Sequence, residues 1–314
     1  MKSLRFEQYG DPSVLKIVDE DTPLPNADEC LIKVKAVGIN PLDWKIRNGQ
    51  LKLMTGSNFP KYLGCEFSGI VEKSGSNITE NIVGKKIFGF MPNSMKPGAL
   101  REFICVPRTS FTFIPEPFSF EEAASAVITS IAAYQAIKDL AQAQTGQSIL
   151  INGCTGGIGL FAIQIANKLN LKVTGVSSSE GVSVAKEFGC ENIIDYKKTN
   201  ILTTPQKFDI ILELSGRMPF SEAKTIMNDR AVYVNPSPSL RTIIHSVFHN
   251  LFSSKKIKLL MTKYNPEQMN ILVDFMKQGL KVKVNKVYTF QNVIQAYQES
   301  EKRSPIGKNV VKFD

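Results

Sequence analysis

Residues 151–170 read INGCTGGIGLFAIQIANKLN and decide how the middle of the chain folds. An apolar, strand-like run stops at a cluster of glycines, Gly153, Gly156, Gly157 and Gly159, and apolar residues then resume with helical spacing. Glycines at this point let the backbone turn tightly, lie close to a sheet and present its N–H groups at a helix N-terminus. Such a turn holds a pyrophosphate with backbone donors and the helix dipole, so the cluster indicates a bound dinucleotide.

The spacing of these glycines departs from the common dinucleotide pattern. The usual G-x-G-x-x-G would begin at position 154, where this chain has Cys154, so its own spacing is G-x-x-G-x-x-G. The alternative is a tight strand-to-helix turn in an α/β protein that binds no nucleotide. The position of the cluster inside a strand-turn-helix-strand unit favours the dinucleotide.

Strands and helices alternate on both sides of this turn. The β-rich runs SILIN (148–152), KVTGVSSS (172–179), NIIDY (192–196) and FDIILELSG (208–216) follow one another at the spacing of βα units. They predict an α/β fold with a doubly wound parallel sheet of the Rossmann type.

The first third of the chain has a different pattern. ECLIKVKAV at residues 29–37 alternates apolar and polar side chains, and similar short runs follow it, separated by glycine, proline and asparagine. We therefore expect a compact, mostly antiparallel β domain over residues 1–119. The last strand, KNVVKF, is expected to return to it, so that residues 263–314 complete this domain and residues 120–262 form the α/β domain.

The end of KVTGVSSS lies about 20 residues after the glycine cluster, where an NAD-binding unit places a carboxylate on the ribose 2′-hydroxyl. This chain instead has Ser177, Ser178 and Ser179 there. Hydroxyl groups can donate to a 2′-phosphate that a carboxylate would repel, so we predict NADPH over NADH. Glu180 argues against this choice, and the alternative is that the serines only decorate a loop.

Composition restricts the class of protein. The chain has 314 residues, of which 43% are hydrophobic and 21% charged, enough to bury two cores. It has neither an apolar segment of signal-peptide type at its start nor a run of roughly 20 apolar residues, so we expect a cytoplasmic protein with no membrane span. Five cysteines lie far apart without a C-x-x-C pair, and we interpret them as reduced thiols.

The net charge of +9 is compatible with a nucleic acid, an anionic cofactor or solubility alone. The densest basic run, KKIK at residues 255–258, has Phe248 and Phe252 nearby but belongs to no recognised nucleic-acid-binding motif. A solvated face is the favoured interpretation, and no nucleic-acid partner is expected.

Several motifs together resemble a known family. They are AVGINPLDWKIRNG (36–49), YLGCEFSGIVEKSG (62–75), GALREF (98–103), the glycine cluster, IIDY (193–196) and the ending GKNVVKF. The chain resembles the zinc-independent medium-chain dehydrogenase/reductases, specifically the quinone oxidoreductase and enone reductase branch, over nearly its full length. The resemblance implies a GroES-like catalytic domain, a Rossmann domain and a cofactor that lies in the cleft between them.

The resemblance also assigns candidate residues. It implies that Asn40 and Asp43 lie beside the nicotinamide and substrate, and that Gly156, Gly157 and Ile158 meet the pyrophosphate. Ser178 and Tyr196 are expected to meet the adenosine phosphate. The further candidates for the cofactor are Gly153, Thr155, Ser177 and Glu213, and Tyr134 is a weaker candidate for the wall of the substrate pocket.

Several of these assignments have alternatives or departures. Glu213 follows a parallel strand where ligands bind such sheets, but a solvated loop acid is the equal alternative. Ala132 stands where many relatives have a threonine that faces the nicotinamide, and Gly181 replaces a lysine or arginine that often holds the 2′-phosphate. Lys197 or Lys198 is the expected substitute.

The absence of metal-ligand patterns selects the chemistry. Zinc-dependent relatives have a cysteine in the place of Asn40 and His-Glu in the place of Cys65-Glu66. His245 and His249 lie four apart on a predicted helix, where a polar helix face is preferred over a metal site. We therefore expect no metal ion.

Without a metal to polarise an isolated carbonyl, the substrate must stabilise the arriving negative charge itself, as a quinone or an α,β-unsaturated carbonyl does. Asn40 is assigned the role of amide donor and orienter, with Asp43 fixing the loop. An Asx turn before Pro41 is the alternative role for Asn40.

The leading hypothesis is an NADPH-dependent reductase of quinones or activated double bonds, expected as a homodimer that pairs through an edge strand at KIKLLMTK (256–263). One alternative is a noncatalytic protein that keeps the cofactor fold and binds RNA or a protein partner through its basic surface. A second alternative is an enoyl-thioester reductase.

Overall fold

The computed structural model describes residues 1–93, 96, 98–236, 240–264, 266–302 and 305–314. The chain divides into two compact units. We call Met1–Ile128 with Tyr264–Asp314 the split unit, and Thr129–Lys263 the central unit.

The N-terminal part of the split unit is mostly β structure. Its elements are β1 (Lys2–Phe6), β2 (Lys16–Asp19), β3 (Glu29–Gly38), α1 (Pro41–Arg47), α2 (Lys52–Thr55), β4 (Lys61–Tyr62), β5 (Glu66–Ser74), β6 (Lys86–Phe90), β7 (Phe103–Pro107) and β8 (Phe111–Phe113). The run predicted to be a strand at residues 29–37 is β3, whose half-buried and buried residues alternate over Lys33–Ala36.

The next elements alternate between helix and strand. They are α3 (Phe120–Tyr134), β9 (Ser148–Asn152), α4 (Gly157–Lys168), β10 (Lys172–Ser177), α5 (Val182–Glu187), β11 (Asn192–Asp195), β12 (Phe208–Glu213), α6 (Phe220–Ala223), β13 (Met227–Asn235), α7 (Leu240–Phe252) and β14 (Lys256–Leu259). The first division between the units falls inside α3.

The C-terminal elements return to the split unit. They are α8 (Pro266–Lys277), β15 (Val284–Thr289), α9 (Val293–Lys302) and β16 (Lys308–Lys312). Strand β16 pairs antiparallel with β3, with Val310 opposite Gly38. The last strand of the chain thus belongs to the same sheet as β3.

The split unit contains two sheets. One has the order β2-β1-β4, and the other runs β15-β16-β3-β5-β6-β8 with β7 paired to β3. Every pair in them is antiparallel except β15 with β16. Their inner faces enclose a core that includes Phe6, Phe67 and Tyr297, which are fully buried.

The central unit contains one parallel sheet of order β11-β10-β9-β12-β13-β14. When the six strands are numbered from 1 to 6 along the chain, their order in the sheet is 3-2-1-4-5-6. This is the doubly wound arrangement of dinucleotide-binding domains. The predicted fold class is confirmed. Because all strands are parallel, the ends of β9, β10, β11 and β12 meet at one edge of the sheet, where ligands bind in such folds.

Among the described residues, no helix is long and apolar enough to cross a lipid bilayer.

Candidate functional site

The glycine turn joins β9 to α4 in the central unit. Gly153 has φ 87°, a conformation that side chains rarely adopt, and α4 begins one residue after Gly156. A Cβ on Gly159 would lie 2.5 Å from the carbonyl oxygen of Gly153 and 2.6 Å from the backbone of Cys154. The turn therefore needs glycine at positions 153 and 159 to bring the helix this close to the strand.

Cys154 occupies the position where the common pattern has its first glycine, and its side chain turns into the core. A Cβ built on Gly175 of β10 would lie 2.7 Å from its sulfur and 2.8 Å from the sulfur of Cys190. Burial raises the pKa of the Cys154 thiol, which is fully shielded from water. The N–H groups of Gly153 and Cys154 both donate to the carbonyl of Val176, tying the turn to β10.

The first N–H groups of a helix have no acceptor within it. In α4 these groups belong to Gly157 and Ile158, which follow the N-cap residue Gly156. They form, with the positive end of the helix dipole, a binding site for an anion such as a pyrophosphate. The residues of the turn thus fit a dinucleotide.

The three serines at the end of β10 have different environments. Ser177 is buried and its hydroxyl donates to the carbonyl of Ser178 at 3.0 Å. The hydroxyl of Ser179 donates to Asp195 at 2.6 Å and lowers the pKa of that carboxyl group. Ser178 is half-buried, and the only partner recorded for its hydroxyl among the described residues is Glu180 at 3.5 Å. Of the three, Ser178 is the one suited to a ligand.

Charged groups surround the end of β11. Lys197 lies 3.4 Å from Glu180, and Lys198 lies 3.8 Å from Asp195. Arg217 lies 5.9 Å from the centre of the Tyr196 ring, which is about half exposed. Each lysine thus faces an acid, and Arg217 supplies a third cation.

Glu213, at the end of β12, is buried and fully engaged within the protein. It accepts from the Asn152 amide at 2.5 Å, from the Ser215 hydroxyl at 2.6 Å and from the Arg217 N–H at 3.2 Å. The interpretation as a solvated loop acid is wrong because the side chain is 2% exposed. Glu213 holds the loop after β12 against the end of β9.

Four other positions in the central unit were singled out by sequence. Thr155 is buried, and a Cβ on Gly181 would lie 2.9 Å from its methyl and hydroxyl groups. A lysine or arginine at position 181 would therefore clash with Thr155. Ala132 is buried in α3, and Tyr134 is half-buried at the end of that helix.

A second cluster of polar groups lies in the split unit. Lys308, the first residue of β16, extends its ammonium group to the Ile39 carbonyl at 2.7 Å, to Asn40 Oδ1 at 2.6 Å and to Glu66 Oε1 at 2.9 Å. All three of its N–H donors thus have acceptors. The other carboxylate oxygen of Glu66 accepts from the Ile128 N–H at 2.7 Å.

Asn40 is held on every side by this cluster. Its amide nitrogen donates to the Gly38 carbonyl at 3.2 Å and to Glu66 at 2.9 Å, while its oxygen accepts from Lys308. Because an amide nitrogen has two donors, this arrangement leaves none for a substrate. The structure thus favours the orienting part of the role predicted for Asn40 over the donor part.

Asp43 lies in the first turn of α1 and is completely buried. It accepts from the N–H of Asn40 at 2.9 Å and from the N–H of Gly64 at 3.1 Å, so it fixes the loop before the helix. Burial raises the pKa of Asp43 to about 6, even though both hydrogen bonds act in the opposite direction.

Tyr264 was not singled out by sequence. It stacks on Phe90 with ring centres 4.9 Å apart. Burial, together with the nearby Cys65, Glu66 and Asp43, raises its pKa. A tyrosine hydroxyl in this setting stays protonated and can donate a hydrogen bond.

The donor groups of the split-unit cluster do not fit a zinc ion. The positions at which zinc-dependent relatives have Cys and His-Glu hold Asn40 and Cys65-Glu66, and an ammonium group already binds the Asn40 and Glu66 oxygens. The described residues contain no group of three or more His, Cys, Asp or Glu side chains placed to hold a metal.

The two histidines lie together on α7, with ring centres 5.7 Å apart. His249 packs against Phe220 at 4.7 Å, and its Nε2 lies 3.0 Å from the Lys255 carbonyl. They contribute to the packing of the helix.

Two family models match the chain. An alcohol dehydrogenase GroES-like domain matches residues 26–116, and a zinc-binding dehydrogenase model matches residues 188–311. The chain belongs to the medium-chain dehydrogenase/reductases. It is therefore an oxidoreductase, and its relatives are consistent with the quinone oxidoreductase branch of this family.

Similar proteins support this assignment. A trans-enoyl reductase of Aspergillus terreus is 29% identical over 349 residues, which cover 100% of this chain and 96% of the relative. The structure of a quinone oxidoreductase from Coxiella burnetii has a TM-score of 0.90 and 27% identity, with 99% of each chain covered. The Escherichia coli quinone oxidoreductase in complex with NADPH has the same fold, with a TM-score of 0.85 and 22% identity over 99% of this chain and 100% of that one.

Proposed function

We propose that this medium-chain dehydrogenase/reductase uses NADPH to reduce quinones or α,β-unsaturated carbonyl compounds without a metal ion. The observation that carries the proposal is the environment of Glu66, whose carboxylate is neutralised by the Lys308 ammonium and bonded by the Asn40 amide. Both carboxylate oxygens of Glu66 already have partners within the protein, so the cluster offers no free oxygen to coordinate a metal ion.

The nucleotide would be held by the central unit. Gly157 and Ile158 offer backbone N–H groups to the pyrophosphate, and Ser178, Tyr196 and Arg217 lie at the ends of the neighbouring strands. NADPH is preferred over NADH because Ser178 stands where an NAD-binding unit has a carboxylate, and because Lys197, Lys198 and Arg217 lie at the same edge of the sheet. The NADPH bound by the Escherichia coli structure supports this choice.

Bound NADPH supplies a hydride. In a quinone or an enone the resulting negative charge moves onto oxygen through conjugation, so no metal is needed to stabilise it. The protein contributes by positioning the substrate. We propose that Asn40, held by Glu66 and Lys308, and Asp43, held by the backbone, keep the loop from Ile39 to Asp43 rigid on the substrate side, and that Tyr264 is a donor.

The test is a rate measurement on protein treated with a chelator and checked for metal content. We expect the absorbance of reduced cofactor to fall when NADPH and 1,4-benzoquinone are mixed with the protein, at the same rate before and after chelation. A requirement for stoichiometric zinc would contradict the metal-free mechanism. Binding of NADPH without turnover on any quinone or enone would favour a noncatalytic protein, and salt-sensitive retention of RNA would identify its partner.

An enoyl-thioester reductase is the second candidate, because the Aspergillus terreus relative is named a trans-enoyl reductase. Quinones and enoyl thioesters both contain a conjugated carbonyl group, which can take up the negative charge without a metal ion. A crotonyl thioester assayed beside 1,4-benzoquinone distinguishes them by the ratio of kcat/KM. A homodimer is also proposed, and sedimentation that finds only monomer would contradict it.

A further inference from the structure

The outward face of α7 in the central unit is apolar. Three pairs of neighbours, each four residues after the last, form a continuous stripe on the helix, which we call the α7 stripe: Ile243, Ile244, Val247, Phe248, Leu251 and Phe252. The last three are 63%, 70% and 89% exposed. Soluble monomers rarely expose so many large apolar side chains side by side, and such a patch marks an interaction site.

The polar side of α7 faces the protein instead. Ser246 is buried, and Asn250 bonds both the N–H and the C=O of Ile257 in β14, each at 2.8 Å. His249 packs on Phe220, as described above. An ordinary surface helix turns its apolar side to the core, so the orientation of α7 is reversed. These polar contacts fix the helix with its stripe towards the outside.

The loop and strand that follow the stripe carry charges of one sign. Residues 253–264 contain no aspartate or glutamate, whereas they contain Lys255, Lys256, Lys258 and Lys263. The Lys256 ammonium lies 2.7 Å from the Asn250 carbonyl, next to the C-terminal end of the stripe, and Lys258 is exposed. A partner that covers the stripe must therefore accept apolar side chains and positive charge together.

We propose that the α7 stripe inserts into the interface of an anionic lipid bilayer, with α7 parallel to the surface and the following lysines on the headgroups. A stripe of Phe, Leu, Ile and Val beside lysines is the composition of helices that bind membranes in this way. A second copy of the chain fits less well because a symmetric contact would bring two basic surfaces together.

The experiment measures flotation of the purified protein with vesicles of phosphatidylcholine alone and of phosphatidylcholine with phosphatidylglycerol in a 7:3 ratio. No nucleotide is added, so the outcome does not depend on the proposed function. We expect wild-type protein to bind the anionic vesicles, less at high salt, and to bind the neutral vesicles weakly. The double variant Leu251→Asp/Phe252→Asp should bind more than tenfold more weakly.

A matched control is Leu24→Asp, because Leu24 is 78% exposed in a stretch of the split unit that is rich in acids. It should float like wild type. Lys258→Gln should weaken binding to the anionic vesicles several-fold and leave the neutral vesicles unaffected. Phe252→Trp supplies a readout that needs no destabilising charge, since its fluorescence should shift to the blue on anionic vesicles.

Three results would overturn the proposal. The first is a wild-type protein that floats with neither vesicle, and the second is a Phe252→Trp emission that vesicles leave unchanged. The third is a double variant that turns a dimer into a monomer in sedimentation while the wild type ignores vesicles, which would assign the stripe to a second copy.

Discussion

Lys308 Nζ lies 2.9 Å from Glu66 Oε1, and the two side chains are 7% and 0% exposed. Such a pair has lost its hydration, so removing one partner leaves an uncompensated charge in the interior. The pair also holds Asn40, because both of its members bond to that amide.

We predict that Lys308→Met lowers the free energy of unfolding by about 3 to 5 kcal/mol, measured by urea denaturation. The control is Lys312→Met in the same strand, whose partner Glu121 lies 3.4 Å away at the surface, and whose loss should cost less than about 1 kcal/mol. Adding Glu66→Gln to Lys308→Met should restore part of the loss. Equal costs for the two single variants would contradict the prediction.

The buried carboxyl group of Asp43 makes stability depend on pH. Its pKa is about 6 in the folded protein and 3.8 in the ordinary state, so the folded protein binds the proton more tightly. The resulting stabilisation is fully present below pH 3.8 and is lost as the pH rises through 6, an amount of about 3 kcal/mol.

Urea denaturation of wild type and Asp43→Asn at pH 4.5 and pH 7.5 checks this. Wild type should lose more stability between these values than the variant does, because asparagine does not titrate. Parallel curves for the two proteins would show that Asp43 stays ionised throughout.

At the glycine turn we predict an effect on stability that is opposite to the one expected from helix propensity. Gly159→Ala should destabilise the protein by more than about 2 kcal/mol, although alanine favours helices by about 1 kcal/mol, because its Cβ would meet the backbone of Gly153 and Cys154. At Gly156 a Cβ would meet only the Gly153 carbonyl oxygen, at 3.6 Å, so Gly156→Ala should cost about 1 kcal/mol or less. Thermal unfolding of both variants measures the difference, and similar values would refute it.

The cofactor preference can be tested at Ser178. Ser178→Asp should weaken NADPH binding about tenfold or more and leave NADH binding nearly unchanged, because the new carboxylate repels the 2′-phosphate. Ser178→Asn has similar size without the charge and should retain the preference. Calorimetric titration with both nucleotides provides the measurement, and an unchanged ratio of affinities for Ser178→Asp would remove Ser178 from the phosphate site.

The sequence predicted the fold well because its signals are local. SILIN coincides with β9, and the glycine cluster marks the start of α4 within one turn. The environments of individual side chains were harder to predict. Ser177 and Glu213 lie at the ends of their strands, as Ser178 does. However, Ser177 is buried and its hydroxyl donates to a backbone carbonyl, and the carboxylate of Glu213 accepts hydrogen bonds from the loop after β12.

The residues that sequence reasoning missed are distant in the chain from those they serve. Lys308 belongs to the ending GKNVVKF, which was noted only as part of a family resemblance, and the pairing of β16 with β3 brings it to Asn40 and Glu66. A lysine among apolar strand residues is a signal that a buried acid exists, but it does not say which one. Arg217 gave no signal, since its position follows from the loop that Glu213 fixes.

The packing of Cys154 against Gly175 couples the glycine turn to the neighbouring strand β10. A Cβ at position 175 would meet both the Cys154 and the Cys190 sulfur, so this packing allows only glycine there. Restoring the common glycine pattern by changing Cys154 alone would open a void under the nucleotide turn. Engineering the common glycine spacing into this turn would therefore require compensating changes beneath it, at positions 175 and 190 together.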